Sequence, residues 1–173
     1  MISRRFLLAA AAALPVAACA DQGPPFINNV SINGQPAPLG GLRVAAFHFS
    51  GPQPIHVRDI AVRSLVNIKG IVPIRFELVD GYASSTPFQP TFPDRPGIAR
   101  AGQTLGADVL VWGSVNQYQP FNGGPPAFID VTMNLTWVNG PNYATVHGQR
   151  QANIGPYDGL VHLMLNEIAN QLP

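Results

Sequence analysis

Charge, cysteine and long apolar segments are all scarce in this sequence. Only 11% of its 173 residues are charged and the formal net charge is +1, whereas an average soluble domain carries about 25% charged residues. The Lys and Arg residues form no clustered basic face, so the sequence gives no support to nucleic-acid binding. The single cysteine, Cys19, excludes a framework of internal disulfides. Either the surface is rich in uncharged polar side chains or a partner covers part of it.

The N-terminus has the composition of a secretory leader. Arg4 and Arg5 precede an apolar run from Phe6 to Ala18, which is too short to cross a bilayer of about 30 Å as a helix. The stretch "LPVAAC", which ends this region, resembles the lipobox of bacterial lipoproteins. The resemblance implies that residues 1–18 are a signal peptide and that Cys19 is acylated as the mature N-terminus. The alternative is an ordinary signal peptide with an incidental cysteine.

Acylation at Cys19 would fix the location of the mature protein. Two or more acyl chains give stable attachment to a membrane without a spanning segment. In enteric bacteria an Asp directly after the lipidated cysteine favours retention at the inner membrane, and here that residue is Ala20. The sequence therefore favours the periplasmic face of the outer membrane over the inner membrane. "RRFLL" weakly resembles a twin-arginine signal, which leaves the export route open.

Residues 19–41 have the composition of a tether, and residues 42–173 that of a single folded domain. The tether contains four prolines and repeated Asn and Gly residues, which favour turns, and one short strand is predicted at "VSI". Fully extended, residues 20–41 would span about 70 Å. The mature chain is long enough for one domain with a hydrophobic core.

The domain alternates strand and helix patterns before it ends in a meander and a last helix. Period-two or continuous apolar runs predict strands, and apolar residues at three- and four-residue spacing predict helices. Asp94 and Gly106 suit the two ends of the second helix. The predicted strands are 42–49, 71–79, 107–118, 128–138 and 142–154, and the predicted helices are 56–69, 94–105 and 157–172. The order β-α-β-α-β-β-β-α predicts an α/β domain with a mixed sheet and two right-handed crossovers.

The stretch "LGADVLVWGSV" at 105–115, with a helix before it and two strands and a helix after it, resembles a known periplasmic domain. This α/β domain is shared by the curli-secretion lipoprotein CsgG, the penicillin-binding-protein activator LpoB and the N-terminal domain of TolB. The likeness extends over residues 42–173 and implies this fold and an accessory role in the cell envelope. "FSGPQP" departs from the short acidic or Asn-rich loop usual after the first strand. No pair of segments matches the barrel strands of CsgG, so a secretion pore is not implied.

No residue pattern in the sequence indicates catalysis, a metal site or a cofactor. Four histidines fall in four different predicted elements, and none has the spacing of a metal-ligand motif: His48, His56, His147 and His162. No serine lies in a G-x-S-x-G elbow. "NGGPP" at 122–126 is a turn, because no Lys-Ser/Thr follows it as in a phosphate loop. We interpret Arg58 and Asp59 as a solvated helix start and predict a non-enzymatic protein.

Five aromatic residues fall in loops that the topology brings to one edge of the sheet. The first three strands are linked through helices and should run parallel, so the loops at 50–54, 80–93 and 117–127 leave from the same edge. Ligands of open α/β sheets bind at this edge, and exposed aromatics anchor interfaces. The predicted partner-binding residues are Tyr82, Phe88, Phe92, Tyr118 and Phe121. The tether is expected to enter at the opposite edge, which would point these aromatics away from the membrane.

These features support three functional hypotheses. In the first, a lipid-anchored periplasmic domain binds another envelope protein through the aromatic residues, in an assembly or activator role. In the second, the domain binds or processes a small envelope molecule such as a lipid or peptidoglycan fragment. In the third, the protein is structural and assembles with itself, and a homo-oligomer is compatible with the first hypothesis as well. Phe88 and Phe92 are equally suited to fold back and seal the sheet.

Overall fold

The computed structural model describes residues 25–86, 94–118, 128–150 and 158–173. Within these ranges the chain forms one sheet of six strands and four helices. The strands are β1 (Phe26–Asn33), β2 (Arg43–Ala46), β3 (Val72–Pro73), β4 (Val109–Tyr118), β5 (Phe128–Trp137) and β6 (Tyr143–Arg150). The helices are α1 (Pro54–Lys69), α2 (Phe76–Ser85), α3 (Arg95–Leu105) and α4 (Asp158–Gln171). None of these helices is long and apolar enough to cross a membrane.

The sheet is mixed, with a parallel half and an antiparallel half. Its spatial order is β1-β6-β5-β4-β2-β3. Strand β2 pairs in parallel with both β3 and β4, whereas β4, β5, β6 and β1 pair successively as antiparallel neighbours. The predicted α/β class, the parallel direction of the first three domain strands and the β5–β6 hairpin are therefore confirmed.

The helices divide the core into two clusters, one on each face of the sheet. Helices α1 and α4 pack together against the face that carries Val111, Met133 and Val146, and this cluster forms most of the core. Helices α2 and α3 cover the other face only over β2 and the start of β4, around Phe47 and Leu110. The second face of β5, β6 and β1 carries no helix among the described residues.

Helix α3 begins and ends where the sequence predicts. The side chain of Asp94 accepts a hydrogen bond from the backbone N–H of Gly97 at 2.8 Å, which satisfies one of the N–H groups left free at a helix start. Gly106 follows the helix with φ 61°, and its N–H returns to the last turn. A residue with a Cβ is disfavoured in this left-handed conformation, so glycine here ends the helix directly before β4.

Replacing Asp94 by Ala is expected to lower the free energy of unfolding by about 1 kcal/mol, because the N–H of Gly97 loses its acceptor. Asp94→Ser keeps a capping oxygen and should stay within about 0.5 kcal/mol of the wild type. Urea unfolding followed by circular dichroism measures both values. Equal losses for the two variants would contradict a capping role.

The strand predicted at 71–79 is wrong beyond its second residue. Val72 and Pro73 pair with β2, and the chain then turns into α2 at Phe76. Val72, Ile74, Phe76 and Leu78 alternate in the sequence, but the buried residues of α2 are Val79 and Tyr82, at helical spacing. Leu78, which the strand interpretation places in the core, is 51% exposed. Pro73 has no N–H to donate, which limits the strand at this edge.

The segment predicted as a tether contributes a full edge strand. Only "VSI" was predicted as strand, whereas β1 has eight residues and pairs with β6 from Phe26↔Gln149 to Asn33↔Tyr143. Its apolar side chains Ile27, Val30 and Ile32 pack on the larger core cluster. This strand buries residues that a free tether would leave in water.

The direction of β1 reverses the expected orientation of the domain. Phe26 pairs with Gln149, which pairs with Asp130, and Asp130 pairs with Asn116 near the end of β4. The chain therefore enters the sheet at the edge where β4 ends, which we call the carboxyl edge. The prediction that it enters at the opposite edge is wrong. Strand β1 first runs from the carboxyl edge to the opposite edge, and β2 begins only after that.

The two outer strands of the sheet differ in their capacity to pair further. Strand β3 has two residues, one of them Pro73. Strand β1, "FINNVSIN", has eight residues and contains neither proline nor charge. Its outer edge pairs with nothing among the described residues. Charge, proline, short length and a bulge are the usual protections of an edge strand. Strand β3 has a proline and is short, whereas β1 has only an irregular register between Ile27 and Asn29 and pairs regularly from Asn29 to Asn33.

Candidate functional site

The structure places the predicted aromatic residues in different environments. Tyr82 lies on α2 in the smaller core cluster, 7% exposed, with its ring edge-on to Phe47. It is a core residue because 76–85 is a helix rather than a strand and loop. Tyr118 ends β4 and is 45% exposed. Phe88, Phe92, Phe121 and the lipidation residue Cys19 lie outside the described residues, so their predicted roles stay predictions.

The end of the β4–β5 hairpin carries an aromatic pair at the carboxyl edge. Tyr118 and Phe128 are register partners, and their rings stack with centroids 4.5 Å apart. The chain after β2 still pairs with β4 at Ser50, opposite Ser114, so the hairpin continues for four residues beyond that bridge. This end of the hairpin is exposed to solvent, and Asn116, Gln117 and Tyr118 are all exposed residues.

A polar network occupies the sheet face without a helix, next to this aromatic pair. His147 on β6 contacts the carboxylate of Asp130 on β5 through Nε2. The side-chain amide of Gln149 donates to the other carboxylate oxygen at 3.2 Å, and the amide nitrogen of Asn28 lies 3.2 Å from Nδ1 of His147. Asp130 is buried although it lies on a face without a helix, because its neighbours on β6 cover it.

Further polar pairs continue across the same face towards the opposite edge. Thr145 donates to Asn134 at 2.7 Å, and the indole N–H of Trp112 donates to Thr136 at 3.2 Å. A cavity of about 300 Å³ lies between these strands and the start of α3. It is lined by Arg95, Ile98, Trp112, Asn134, Thr136, Tyr143 and Thr145. The face is thus polar throughout, with aromatic rings at its margins.

The network around Asp130 is suited to holding strands together. Both ring nitrogens of His147 have partners, one on β5 and one on β1. The histidine therefore joins three neighbouring strands. No group of three His, Cys, Asp or Glu side chains able to hold a metal ion occurs within the described ranges.

A second cluster joins the two helical layers at the carboxyl edge. Arg58 of α1 donates to Asp80 of α2 at 2.6 Å, and its guanidinium lies 4.0 Å from the ring centre of Phe76. Nε2 of His48 lies 3.4 Å from the same carboxylate oxygen. Arg58 is only 3% exposed. The interpretation of Arg58 and Asp59 as a solvated helix start is wrong for the arginine, because α2 covers it.

A cavity of about 490 Å³ lies below this cluster, beside β3. It is lined by Asp59, Val62, Arg63, Pro73, Ile74, Arg75 and Phe76. Its walls combine apolar side chains with two arginines and one aspartate. Its size is in the range of small-ligand sites.

Three aspartate–histidine pairs share the carboxyl edge, and sequence reasoning found none of them. Besides Asp80 with His48 and Asp130 with His147, Nε2 of His56 lies 3.4 Å from Asp158 at the start of α4. His147 is 17 positions from Asp130 and 119 positions from Asn28. No local sequence motif therefore predicts these contacts. The register of β5 with β6 brings Asp130 and His147 together, and helix packing brings together the other two pairs.

Comparison with known proteins places the fold but not a family. No family model matches the chain, and no curated protein matches it. The PelC dodecamer from Paraburkholderia phytofirmans is similar in structure, with a TM-score of 0.51 and 17% identity over 84% of this chain and 98% of that chain. A second dodecamer, of a substituted PelC, gives a TM-score of 0.50 and 16% identity over 82% of this chain and 95% of that chain. These likenesses show a shared fold.

The C-terminal domain of LpoB from Salmonella enterica also matches, with a TM-score of 0.49 and 12% identity. The match covers 65% of this chain and 84% of that chain. The resemblance to CsgG and to the N-terminal domain of TolB stays a prediction.

Proposed function

We propose that this chain is a non-enzymatic, lipid-anchored envelope protein whose domain binds another protein chain in the periplasm. The leader and Cys19 supply the anchor, by the lipobox resemblance. The observation that carries the binding role is the outer edge of β1. Eight residues without charge or proline offer backbone N–H and C=O groups at this edge, and such an edge pairs readily with a strand of another chain.

The uncovered polar face beside β1 supports the same role. Its side chains are hydrogen-bonded in pairs across the strands, so the face is ordered before a partner arrives. A preordered surface loses less side-chain entropy on binding. The partner is another envelope protein or a further copy of this chain. The dodecameric assembly of PelC, whose fold is similar, supports association with copies.

Photocrosslinking in living cells tests this proposal. A photoreactive amino acid at Ser31, exposed on β1, is expected to give a discrete crosslinked band whose mass spectrum identifies the partner. The matched control is Asn67, exposed on α1, a helix that packs on α4 and on β3, the strand at the other end of the sheet order from β1. Bands from neither position, in cells where the protein is folded and membrane-bound, would contradict a protein partner at β1. Equal bands from both positions would show only random contact.

A small envelope molecule is the second candidate ligand, favoured by the cavity beside β3. Its volume of about 490 Å³ suits a small molecule, and Arg63 and Arg75 among its lining residues suit an anionic group. A ligand that protects the chain from unfolding, and whose effect is lost in Arg75→Ala, would favour this candidate over the protein partner.

A further inference from the structure

The carboxyl edge collects exposed apolar side chains from three separate elements. Phe26 begins β1 and is 49% exposed, Ile55 lies in the first turn of α1 and is 52% exposed, and Tyr118 ends β4. Helix α1 starts at this edge because it follows β2 directly, and its His56 meets Asp158 at the start of α4 there. The three side chains therefore surround one end of the domain.

The same edge lies close to the point of attachment. Six residues, 20–25, separate Cys19 from Phe26. A chain of this length spans at most about 25 Å when fully extended. Since β1 enters the sheet at the carboxyl edge, a lipidated Cys19 keeps this edge within about 25 Å of the bilayer.

The chemistry of the edge suits a lipid surface better than water. Tyr118 is an aromatic side chain with one polar end, a type that favours the headgroup region of a membrane, and Phe26 and Ile55 are apolar. Contact through apolar side chains adds attachment to that of the acyl chains.

We infer that the carboxyl edge, through Phe26, Ile55 and Tyr118, lies on the surface of the bilayer that holds the anchor. This inference rests on the proposed lipid anchor and assigns these three residues to lipid rather than to a protein partner. The outer edge of β1 then runs away from the membrane, with Asn33 at its distant end. A partner that pairs with β1 is thereby held with its strand upright on the bilayer.

A spin label on the full-length lipoprotein tests the contact. Tyr118→Cys carries a nitroxide at the carboxyl edge, and Tyr143→Cys carries it at the opposite edge as the matched control. Both tyrosines lie on the same face of the sheet and are similarly exposed, 45% and 40%. Tyr143 pairs with Thr136 and Thr136 with Leu110, so the two positions are about 26 Å apart along the strands.

The expected result is a difference in collision rates measured by electron paramagnetic resonance. In vesicles of phosphatidylethanolamine and phosphatidylglycerol, the ratio of oxygen to nickel-chelate collisions should be at least about twofold higher at 118 than at 143, because the polar chelate is excluded from apolar surroundings. Phe26→Cys should behave like Tyr118→Cys and provides a second position if one variant does not fold. Circular dichroism checks the fold of each.

The wild-type protein separates the failure of this inference from that of the anchor. An acylated Cys19 cannot react, so unmodified protein should take up no label and should sediment with the vesicles. Uptake of label by wild-type protein would overturn the anchor itself. An acylated protein whose labels at 118 and 26 match the label at 143 would keep the anchor and overturn the edge contact. Shielding of 118 and 26 from both relaxants would also overturn it, since a protein then covers the edge.

Discussion

Replacing Asp80 by Ala is expected to lower the free energy of unfolding by about 2 kcal/mol, because the buried guanidinium of Arg58 loses its hydrogen-bond acceptor. The Asp80 side chain is itself 39% exposed, which keeps the loss below that of a fully buried ion pair. Asp59 remains, but its carboxylate lies 3.6 Å from Nε of Arg58, beyond hydrogen-bond range. The ring of Phe76 offers the cation only a weaker contact. Urea denaturation with an unchanged m-value would measure the loss.

Two further variants decide the cause of that loss. Asp59→Ala removes a neighbouring carboxylate of the same helix and should cost less than about 1 kcal/mol. The double variant Arg58→Met with Asp80→Ala removes both charges and keeps an unbranched apolar side chain, so it should regain most of the stability. If Asp80→Ala lowers the free energy of unfolding no more than Asp59→Ala does, water reaches Arg58 and the guanidinium is not destabilised by losing Asp80.

Replacing Gly113 by Ala is expected to lower the free energy of unfolding by about 3 kcal/mol. A Cβ at this position would meet the carbonyl oxygen of Thr132 on β5 and the ring of Phe49. Phe49 is 2% exposed and packed in the larger core cluster, so neither neighbour can give way without disturbing the sheet. Thermal and urea unfolding would both report the change.

Gly148 in β6 provides the matched control. A Cβ there would lie 2.9 Å from a terminal methyl group of Leu160 and 3.0 Å from Cγ of Met164. Both are side-chain atoms of α4 and neither is a backbone atom, so a small change of rotamer or a small shift of α4 can relieve the contact. Gly148→Ala should therefore cost less than about 1 kcal/mol, partly offset by the lower chain entropy of alanine. Equal losses at both positions would mean that the backbone contact at Gly113 is not decisive.

The regular parts of this fold could be predicted because the local pattern and the tertiary environment agree. In β5, Val131, Met133 and Leu135 alternate with polar residues, and the structure buries these apolar residues on one face. Helix α3 carries its own boundaries in Asp94 and Gly106. Where caps and periods are local, no knowledge of distant contacts is needed.

The segment after β3 could not be resolved from its pattern, because two periods fit the same residues. Ile74, Phe76 and Leu78 satisfy an alternation, whereas Phe76, Val79 and Tyr82 satisfy a helix. The helix is favoured because α3 and β2 cover Val79 and Tyr82, and a ten-residue window does not contain that information. For this reason Tyr82, which was predicted to lie on the surface, lies in the core.

The candidate site could not be predicted, because it is formed by residues that are far apart in the sequence and become neighbours only when the strands pair. Nothing near His147 predicts that Asn28, 119 positions earlier, supplies its second contact. The orientation of the domain depended on the same strand. Because "FINNVSIN" resembles a polar linker in composition, the reversal of the chain across the sheet could be seen only in the register of β1 with β6.

The unequal outer strands of the sheet set a limit on growth by strand pairing. A copy that joins through β1 is related by a two-fold axis, because the same antiparallel edge meets itself. Each copy then presents β3 outwards, with two residues and Pro73, which cannot template a third copy. Pairing through the strands that the structure describes therefore stops at two copies. Any larger closed assembly has to join such pairs, or single chains, through helices or loops.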